Sequence, residues 1–364
     1  MKRALLVISL FLCAAAAQAQ FRPSTTDQTA TLRDYAAKVL PRCPNGVVTL
    51  EPVRSAGPTN FTAYVATVRS DDKYCGTQKY VLHSPKTQQM LIGTVIPVPK
   101  DGRPTATRFS EKSTELLGKP VKAIIAPFPL QDGIKAVNIT RETPYGAFSY
   151  AGFIDQSEAF LIVGFRGNLL TDPAKTLRET LGTTTGARRG TGKVEILELS
   201  DFQCPTCARA HENIEPIIQK NLGKMSYIRI DLPLFEHHEW AIPAAMGARA
   251  IQRVAPAKYW QYVDYVFKNQ ETIGKRKFDD VLKEFIEDND IDAAAIQKIY
   301  GSKAERQTLL DQVSRAFAAG IASTPTFIVN GQIMGFGPEG SFTIEQIKSA
   351  IGVSTPAKKA AAKK

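Results

Sequence analysis

The chain has 364 residues, of which 43% are hydrophobic, and a formal net charge of +11 at pH 7. This length suits two domains with appendages better than one, and the apolar content is sufficient for packed cores. The positive charge is spread along the chain without a basic stripe interleaved with aromatic residues, which argues against nucleic acid as a partner.

The N-terminus has the pattern of a secretory signal. Met1-Lys2-Arg3 carries positive charge, the stretch from Ala4 to Ala17 is apolar, and Ala17-Gln18-Ala19 offers small residues for cleavage. The apolar run is shorter than the roughly 20 residues that a spanning helix needs. We therefore predict a signal peptide over residues 1–19 and a periplasmic or secreted mature protein.

Removal of this signal leaves four cysteines in a compartment where disulfides persist. Cys43 and Cys75 lie far apart in the sequence, and we predict that they form a structural disulfide. In the chain-entropy model, a bridge closing this loop stabilises the fold by about 3–4 kcal/mol. Cys204 and Cys207 instead form a C-x-x-C pair.

Residues 20–181 are predicted to form an α+β domain. Leu32 to Leu40 has a helical pattern, and Tyr145-Gly146-Ala147-Phe148 is typical of a turn that leads into a strand. Alternating or β-branched runs predict strands at Phe61–Val68, Lys79–His83, Met90–Val95, Val121–Ala126 and Ala159–Phe165. We find no nucleophile, metal cluster or phosphate loop in this domain, so the chemistry is expected elsewhere.

Two segments lack the regular spacing of apolar residues that indicates a helix or a strand. Residues 182–192 are rich in glycine and threonine, and we predict an interdomain linker there. Residues 354–364 are rich in alanine and lysine, which is typical of a solvated basic tail. A second domain is thus expected over residues 193–353.

The second domain begins with an apolar run of strand length, Lys193 to Leu199, followed closely by the cysteine pair. Pro205 occupies a position that the first turn of a helix accepts. Ile214, Ile217 and Ile218 then supply the apolar face of that helix. The cysteines are therefore expected where a strand ends and a helix begins.

The remainder of this domain predicts a helical insertion between strands. Met225 to Leu232 alternates as a strand does, and Thr326–Val329 and Gln332–Met334 flank Asn330-Gly331, a strong hairpin signal. Helical patterns lie at Ala241–Ile251, Lys258–Lys268, Phe278–Asp288, Asp292–Tyr300, Lys303–Ala319 and, after the hairpin, Thr343–Ile351.

A C-x-x-C pair at a helix N-terminus suits dithiol chemistry, because free N–H groups and partial positive charge favour a thiolate. We expect Cys204 to be the exposed nucleophile and Cys207 to resolve the mixed disulfide. A structural disulfide or half of a zinc site are the alternatives. A zinc site normally needs two more ligands, and only His211 follows at a suitable spacing. Ala208 stands where a haem-attachment motif requires histidine.

The run from Glu198 to Cys207, the helical insertion and the segment Ser323-Thr324-Pro325-Thr326-Phe327 together resemble the DsbA-like family of exported disulfide oxidoreductases. The resemblance covers residues 193–352. It implies an α/β thioredoxin-like fold with an α-helical insertion.

The resemblance also implies roles for individual residues. The proline matching Pro325 is cis in the family and faces the active-site disulfide, and Thr324 would offer main-chain contacts to substrate. Glu198 would be a buried carboxylate that exchanges a proton with Cys207. An exposed position on an edge strand is the alternative for Glu198.

The expected activity is disulfide exchange with cysteines of exported proteins, with oxidation as the preferred direction. Thr206 supplies no cation to the thiolate, so we expect a less extreme oxidant than the strongest members. Isomerase or reductase activity remains an alternative, as does a thiol metal chaperone. We expect no diffusible cofactor and no bound metal. A membrane or soluble redox partner is expected, and a homodimer is suggested by analogy with dimeric exported isomerases.

Overall fold

The computed structural model describes residues 26–53, 57–70, 76–182, 186–337 and 340–353. The predicted signal peptide, the basic tail and Cys75 lie outside these residues. Within the described ranges, no helix is both long enough and apolar enough to cross a membrane.

The N-terminal domain is built on an antiparallel sheet with the strand order β1-β2-β3-β4-β8-β7-β6-β5. Its strands are β1 Val47–Pro52, β2 Thr62–Arg69, β3 Gly76–His83, β4 Gln89–Pro97, β5 Lys122–Ile125, β6 Lys135–Thr143, β7 Gly146–Ile154 and β8 Phe160–Asn168. Its helices are α1 Thr26–Val39, α2 Thr105–Leu117 and α3 Pro173–Leu181, with a 3-10 turn at Gln131–Gly133. The predicted α+β class is confirmed, although β1, β6, α2 and α3 were not predicted.

The C-terminal domain has a five-stranded sheet with the order β13-β12-β10-β11-β9. Its strands are β9 Ala187–Arg189, β10 Val194–Ser200, β11 Met225–Asp231, β12 Thr326–Val329 and β13 Gln332–Ile333. Its helices are α4 Pro205–Lys220, α5 Ala241–Val254, α6 Tyr259–Lys268, α7 Gln270–Ile273, α8 Phe278–Asp288, α9 Ala293–Tyr300, α10 Lys303–Ala318 and α11 Ser341–Ala350, with a 3-10 turn at Pro256–Lys258.

Strand β10 lies at the centre of this sheet, parallel to β11 and antiparallel to β12. Its last five residues are buried, because α4 and α11 cover one face and the shared core covers the other. The hairpin between β12 and β13 turns at Asn330 and Gly331, whose φ angles are 48° and 81°. Such positive angles favour Asn-Gly, which explains the hairpin signal in the sequence.

Helices α5 to α10 form the predicted insertion. Helix α8 shows why these helices could be predicted from the sequence. Its apolar residues recur at helical spacing and are all buried: Phe278, Val281, Leu282, Phe285 and Ile286. The thioredoxin-like fold with an α-helical insertion is thereby confirmed.

The predicted linker is shorter than expected. Helix α3 ends at Gly182 in a left-handed cap, and residues 187–189 form β9, which pairs with β11. The glycines and threonines of this segment suggested a linker, but β9 is only three residues long and gains its order from β11. Residues 183–185 lie outside the described part of the chain.

The two domains share a hydrophobic core. Leu32 and Phe148 of the first domain belong to the same buried cluster as Leu199 and Val313 of the second. The main chain also crosses between them, since the Arg42 N–H donates to the Ile333 carbonyl at 2.8 Å. Helix α10 packs against β7. The N-terminal domain is therefore in direct contact with the fold that carries the cysteine pair.

Candidate active site

The cysteine pair lies where β10 leads into α4. Pro205 is the first residue of α4 and Cys204 is its N-cap residue, as the sequence predicted. The N–H groups of Cys207 and Ala208 donate to the Cys204 carbonyl at 3.0 and 3.2 Å. The Cys204 sulfur is thus presented at the positive end of a helix of 16 residues.

The two thiols are free, and their environments differ. Cys204 is 8% exposed and Cys207 is fully buried. The prediction of an exposed Cys204 is therefore wrong, and its sulfur lies 3.6 Å from the Thr324 carbonyl oxygen of the proline loop. Cys204 remains the more accessible of the two thiols.

This asymmetry separates the pKa values of the thiols. A hydrogen bond from Cys207 lowers the pKa of Cys204 to about 5, assisted by the Thr324 side chain and by the N–H groups of Cys207 and Thr206, against the opposing effect of burial. Burial, together with the adjacent Cys204, raises the pKa of Cys207 well above its ordinary value. Cys204 is therefore a thiolate at neutral pH while Cys207 keeps its proton.

The Thr324–Pro325 peptide bond is cis, as the family resemblance implied, and it lies beside Cys204. Thr324 is half-buried and Pro325 is buried. Whether Thr324 contacts substrate through its main chain stays a prediction.

Glu198 is 1% exposed on the central strand β10, which excludes the alternative of an exposed edge position. One of its carboxylate oxygens accepts a hydrogen bond from the Tyr227 hydroxyl, and the other has no hydrogen-bond partner among the residues that the structure describes. Arg229, also buried, stands opposite Glu198 in the register of β10 and β11 and forms an ion pair with Asp231. The carboxylate therefore lies in a buried polar network on the strand that leads to the cysteines.

Asp201 and His238 belong to the site but were not identified from the sequence. The side chain of Asp201 is fully buried and accepts from the Gln203 N–H and from His238 Nδ1, both at 2.7 Å. His237 is exposed, whereas the adjacent His238 is half-buried against Asp201. A contact between residues that are 37 positions apart in the sequence therefore holds His238 at the site.

The helical insertion also holds the loop that precedes the cysteines. The Gln270 side-chain amide donates to the carbonyls of Phe202 and Cys204 at 2.6 and 3.1 Å. The Trp240 N–H donates to the Gln203 side chain at 2.7 Å. His211, considered above as a metal ligand, pairs with Asp264 at 2.6 Å.

Cys43 is disulfide-bonded in the structure and is nearly buried. Because Cys75 lies outside the described residues, the pairing Cys43–Cys75 stays a prediction. Cys43 directly follows the segment that pairs with β13, so its bridge lies close to the junction of the two domains.

Fold and site together define a thioredoxin-fold domain whose dithiol lies at a helix N-terminus, opposite a cis-proline loop. Comparison with known proteins supports this class. Residues 186–352 match the family model described as thioredoxin. Residues 186–352 are therefore similar to the thioredoxin family, in agreement with the resemblance found in the sequence.

The chain also resembles individual proteins. The curated Na(+)/H(+) antiporter NhaA 1 of Salinispora arenicola is 26% identical over 158 residues, which cover 43% of this chain and 22% of that protein. The chain thus spans about a fifth of the length of that relative. BdbD from Bacillus subtilis is 18% identical with a TM-score of 0.38, covering 46% of this chain and 94% of BdbD. The thiol-disulfide exchange protein alpha-DsbA2 from Wolbachia pipientis is 16% identical with a TM-score of 0.42, covering 49% and 93%.

Proposed function

We propose that the chain is an exported thiol-disulfide oxidoreductase that exchanges disulfides with cysteines of exported proteins. The observation that carries the proposal is the asymmetry of the dithiol. Cys204, with a pKa of about 5, is suited to attack and to leave as a thiolate, while the buried Cys207 is suited to hold a proton.

The reaction needs only the two sulfurs of the chain and two of the substrate. A substrate thiolate attacks Cys204 in the oxidised pair, the Cys204–Cys207 bond breaks, and Cys207 leaves with the bonding electrons and takes up a proton. The second substrate thiolate then attacks the substrate sulfur of the mixed disulfide, and Cys204 leaves as a thiolate. Two electrons pass from substrate to the pair, so no diffusible cofactor takes part.

The preferred direction follows from the Cys204 thiolate. Interactions that stabilise this thiolate stabilise the reduced form of the pair, and a stable reduced form makes the disulfide a stronger oxidant. A pKa of about 5 is higher than the value near 3.5 of the strongest oxidants of this type. These considerations favour an oxidase of intermediate strength over a reductase.

Glu198 and the Thr324–Pro325 loop have supporting roles in this proposal. The Glu198 oxygen that has no hydrogen-bond partner among the described residues would exchange a proton with Cys207 when that thiol leaves. The main chain at Thr324, beside Cys204, would align an extended substrate segment.

The test is the oxidation of a reduced, unfolded protein by the stoichiometric oxidised chain. We expect loss of two substrate thiols per chain. Neither Cys204→Ser nor Cys207→Ser can form the Cys204–Cys207 bond, so neither should consume substrate thiols. With a disulfide-containing substrate instead, Cys207→Ser should stop at a mixed disulfide through Cys204, whereas Cys204→Ser should form none. Substrate thiols that remain unconsumed by the wild-type chain contradict the proposal. Stoichiometric, tight metal binding by the reduced chain in that case would support the metal-chaperone alternative.

Export is tested separately by sequencing the N-terminus of the mature protein. Cleavage after Ala19 predicts a mature chain that begins with Gln20. A protein that retains Met1 in the cell extract would contradict this part of the proposal.

A further inference from the structure

The segment 232–240 joins β11 to α5 and lies between the N-terminal domain and the cysteine pair; we call it the bridging loop. On the side of the N-terminal domain, the carboxylate of Glu236 forms ion pairs with Lys119 and Arg141. The Tyr145 hydroxyl donates to the Glu239 carbonyl at 2.9 Å. The polar contacts thus attach the loop to the region of β5, β6 and β7.

Apolar contacts reinforce this attachment. The ring of Phe235 packs edge-on against Phe148, with 5.1 Å between centroids, and against Tyr145 at 6.1 Å. The Arg141 guanidinium lies 5.9 Å from the same ring. Phe235 joins the hydrophobic cluster that both domains share. The loop is therefore packed against the N-terminal domain as well as paired with it.

On its other side the bridging loop binds Asp201. The Leu234 N–H donates to Asp201 Oδ2 at 2.7 Å, and His238 Nδ1 lies 2.7 Å from the same oxygen. The Asp201 side chain is fully buried, whereas that of His238 is 20% exposed. A buried carboxylate is costly unless it is paired and hydrogen-bonded, and the bridging loop supplies both kinds of partner.

Asp201 in turn contacts both cysteines through its main chain. Its N–H lies 3.5 Å from the sulfur of Cys207, and its carbonyl accepts from the Cys204 N–H at 3.2 Å. A shift of Asp201 would therefore move the N–H group beside the Cys207 sulfur and the carbonyl that holds the Cys204 main chain. The contacts form a continuous path from the N-terminal domain through the bridging loop to the dithiol.

We propose that His238 is a positioning residue for the dithiol, and that the N-terminal domain holds it against Asp201 through the bridging loop. The inference rests on the proposed function for its biological meaning. It gives the N-terminal domain a role in the chemistry of the C-terminal domain.

The charges around His238 fix the direction of the effect. The ionisable groups that act on it are Asp201 and Cys204, with the hydrogen bond to Asp201 raising the pKa of His238 against the opposing effect of burial. Asp231 is near enough to Asp201 for the two carboxylates to interact, and Lys119 and Arg141 of the N-terminal domain are paired with Glu236. Without the imidazolium, the buried Asp201 carboxylate would oppose the Cys204 thiolate. Loss of His238 should therefore raise the pKa of Cys204.

The experiment measures the rate of iodoacetamide alkylation of Cys204 against pH, in the full reduced chain, with peptide mass mapping to assign the site. His238→Asn keeps a donor near the Nδ1 position but removes the charge, and we expect its midpoint to rise by about 0.5–1 pH unit. Glu236 lies outside the dithiol site, so Glu236→Gln weakens only the attachment of the bridging loop to the N-terminal domain. A smaller rise in the same direction is expected for it.

Glu111→Gln is the matched control, because Glu111 pairs with Arg103 on the exposed surface of the N-terminal domain. Its midpoint should equal that of the wild type. In an Asp201→Asn background, His238→Asn should no longer raise the midpoint, since the two substitutions act on one interaction.

An unchanged midpoint in both His238→Asn and Glu236→Gln overturns the inference. A rise in His238→Asn with none in Glu236→Gln overturns the role of the N-terminal domain. If His238→Asn fails to fold, Glu236→Gln decides alone. Alkylation is measured without any substrate protein, so these outcomes are separate from failure of the proposed function, which would appear as unconsumed substrate thiols.

Discussion

The depressed pKa of Cys204 makes the stability of the reduced protein depend on pH in a way that one substitution should abolish. In the folded chain the pKa is about 5, and in an unfolded chain a cysteine has a pKa of about 8.5. Because the folded-state pKa is the lower one, the stabilisation is complete above the unfolded pKa and is lost as pH falls through the folded pKa.

The magnitude follows from these two values. At pH 7 the Cys204 thiolate contributes about 2.7 kcal/mol to the free energy of unfolding, and at pH 5 it contributes about 0.4 kcal/mol. The reduced wild type should therefore gain about 2.3 kcal/mol relative to Cys204→Ser between these pH values, since serine does not ionise.

The assay is urea unfolding of the reduced wild type, Cys204→Ser and Cys207→Ser across this pH range. Cys207→Ser is the matched control, because its hydroxyl still donates to Cys204 and the pH dependence should be retained. A constant difference in stability between wild type and Cys204→Ser would refute the reasoning. It would mean that Cys204 is not a thiolate in the folded protein.

Three further outcomes are expected. Cys207→Ala, incubated with a disulfide-containing substrate protein, should accumulate mixed disulfides through Cys204 on non-reducing gels, because no resolving thiol remains; their absence would contradict the assigned order of attack. Glu198→Gln should slow exchange and flatten its pH dependence, as stopped-flow kinetics would show, since the neutral amide cannot relay a proton; an unchanged profile would remove Glu198 from the mechanism. Cys43→Ala should lower the free energy of unfolding by about 3–4 kcal/mol if Cys43 closes the predicted loop, and a loss below about 1 kcal/mol would argue against that pairing.

The parts of the fold that depend on local sequence were predictable. The strand leading to Cys204, the helix beginning at Pro205 and the amphipathic helices of the insertion each carry their signal within about 15 residues. The Asn330-Gly331 turn was equally local. The N-terminal domain was harder, because strand β6 is buried at only two of its nine positions and gives a weak alternating pattern.

The residues of the candidate site also fall into two groups, those predicted from local sequence and those that depend on tertiary contacts. Cys204, Cys207 and Pro325 lie in motifs that can be recognised in the amino-acid sequence alone. Asp201 meets His238 only after β11 has paired with β10, and that pairing also places Arg229 opposite Glu198. Such contacts depend on strand register and on long-range packing. The roles of Asp201, His238 and Arg229 could therefore not be predicted from the sequence around them.

The redox potential of the Cys204–Cys207 pair tests the central claim most directly. It would be measured by equilibrating the chain in glutathione buffers, trapping free thiols with an alkylating reagent and counting the modified cysteines by mass. A thiolate stabilised as described predicts a potential between about −180 and −120 mV, the range of protein disulfide oxidants and isomerases. A potential near −270 mV or lower, typical of a reductant or a structural bridge, would contradict the account.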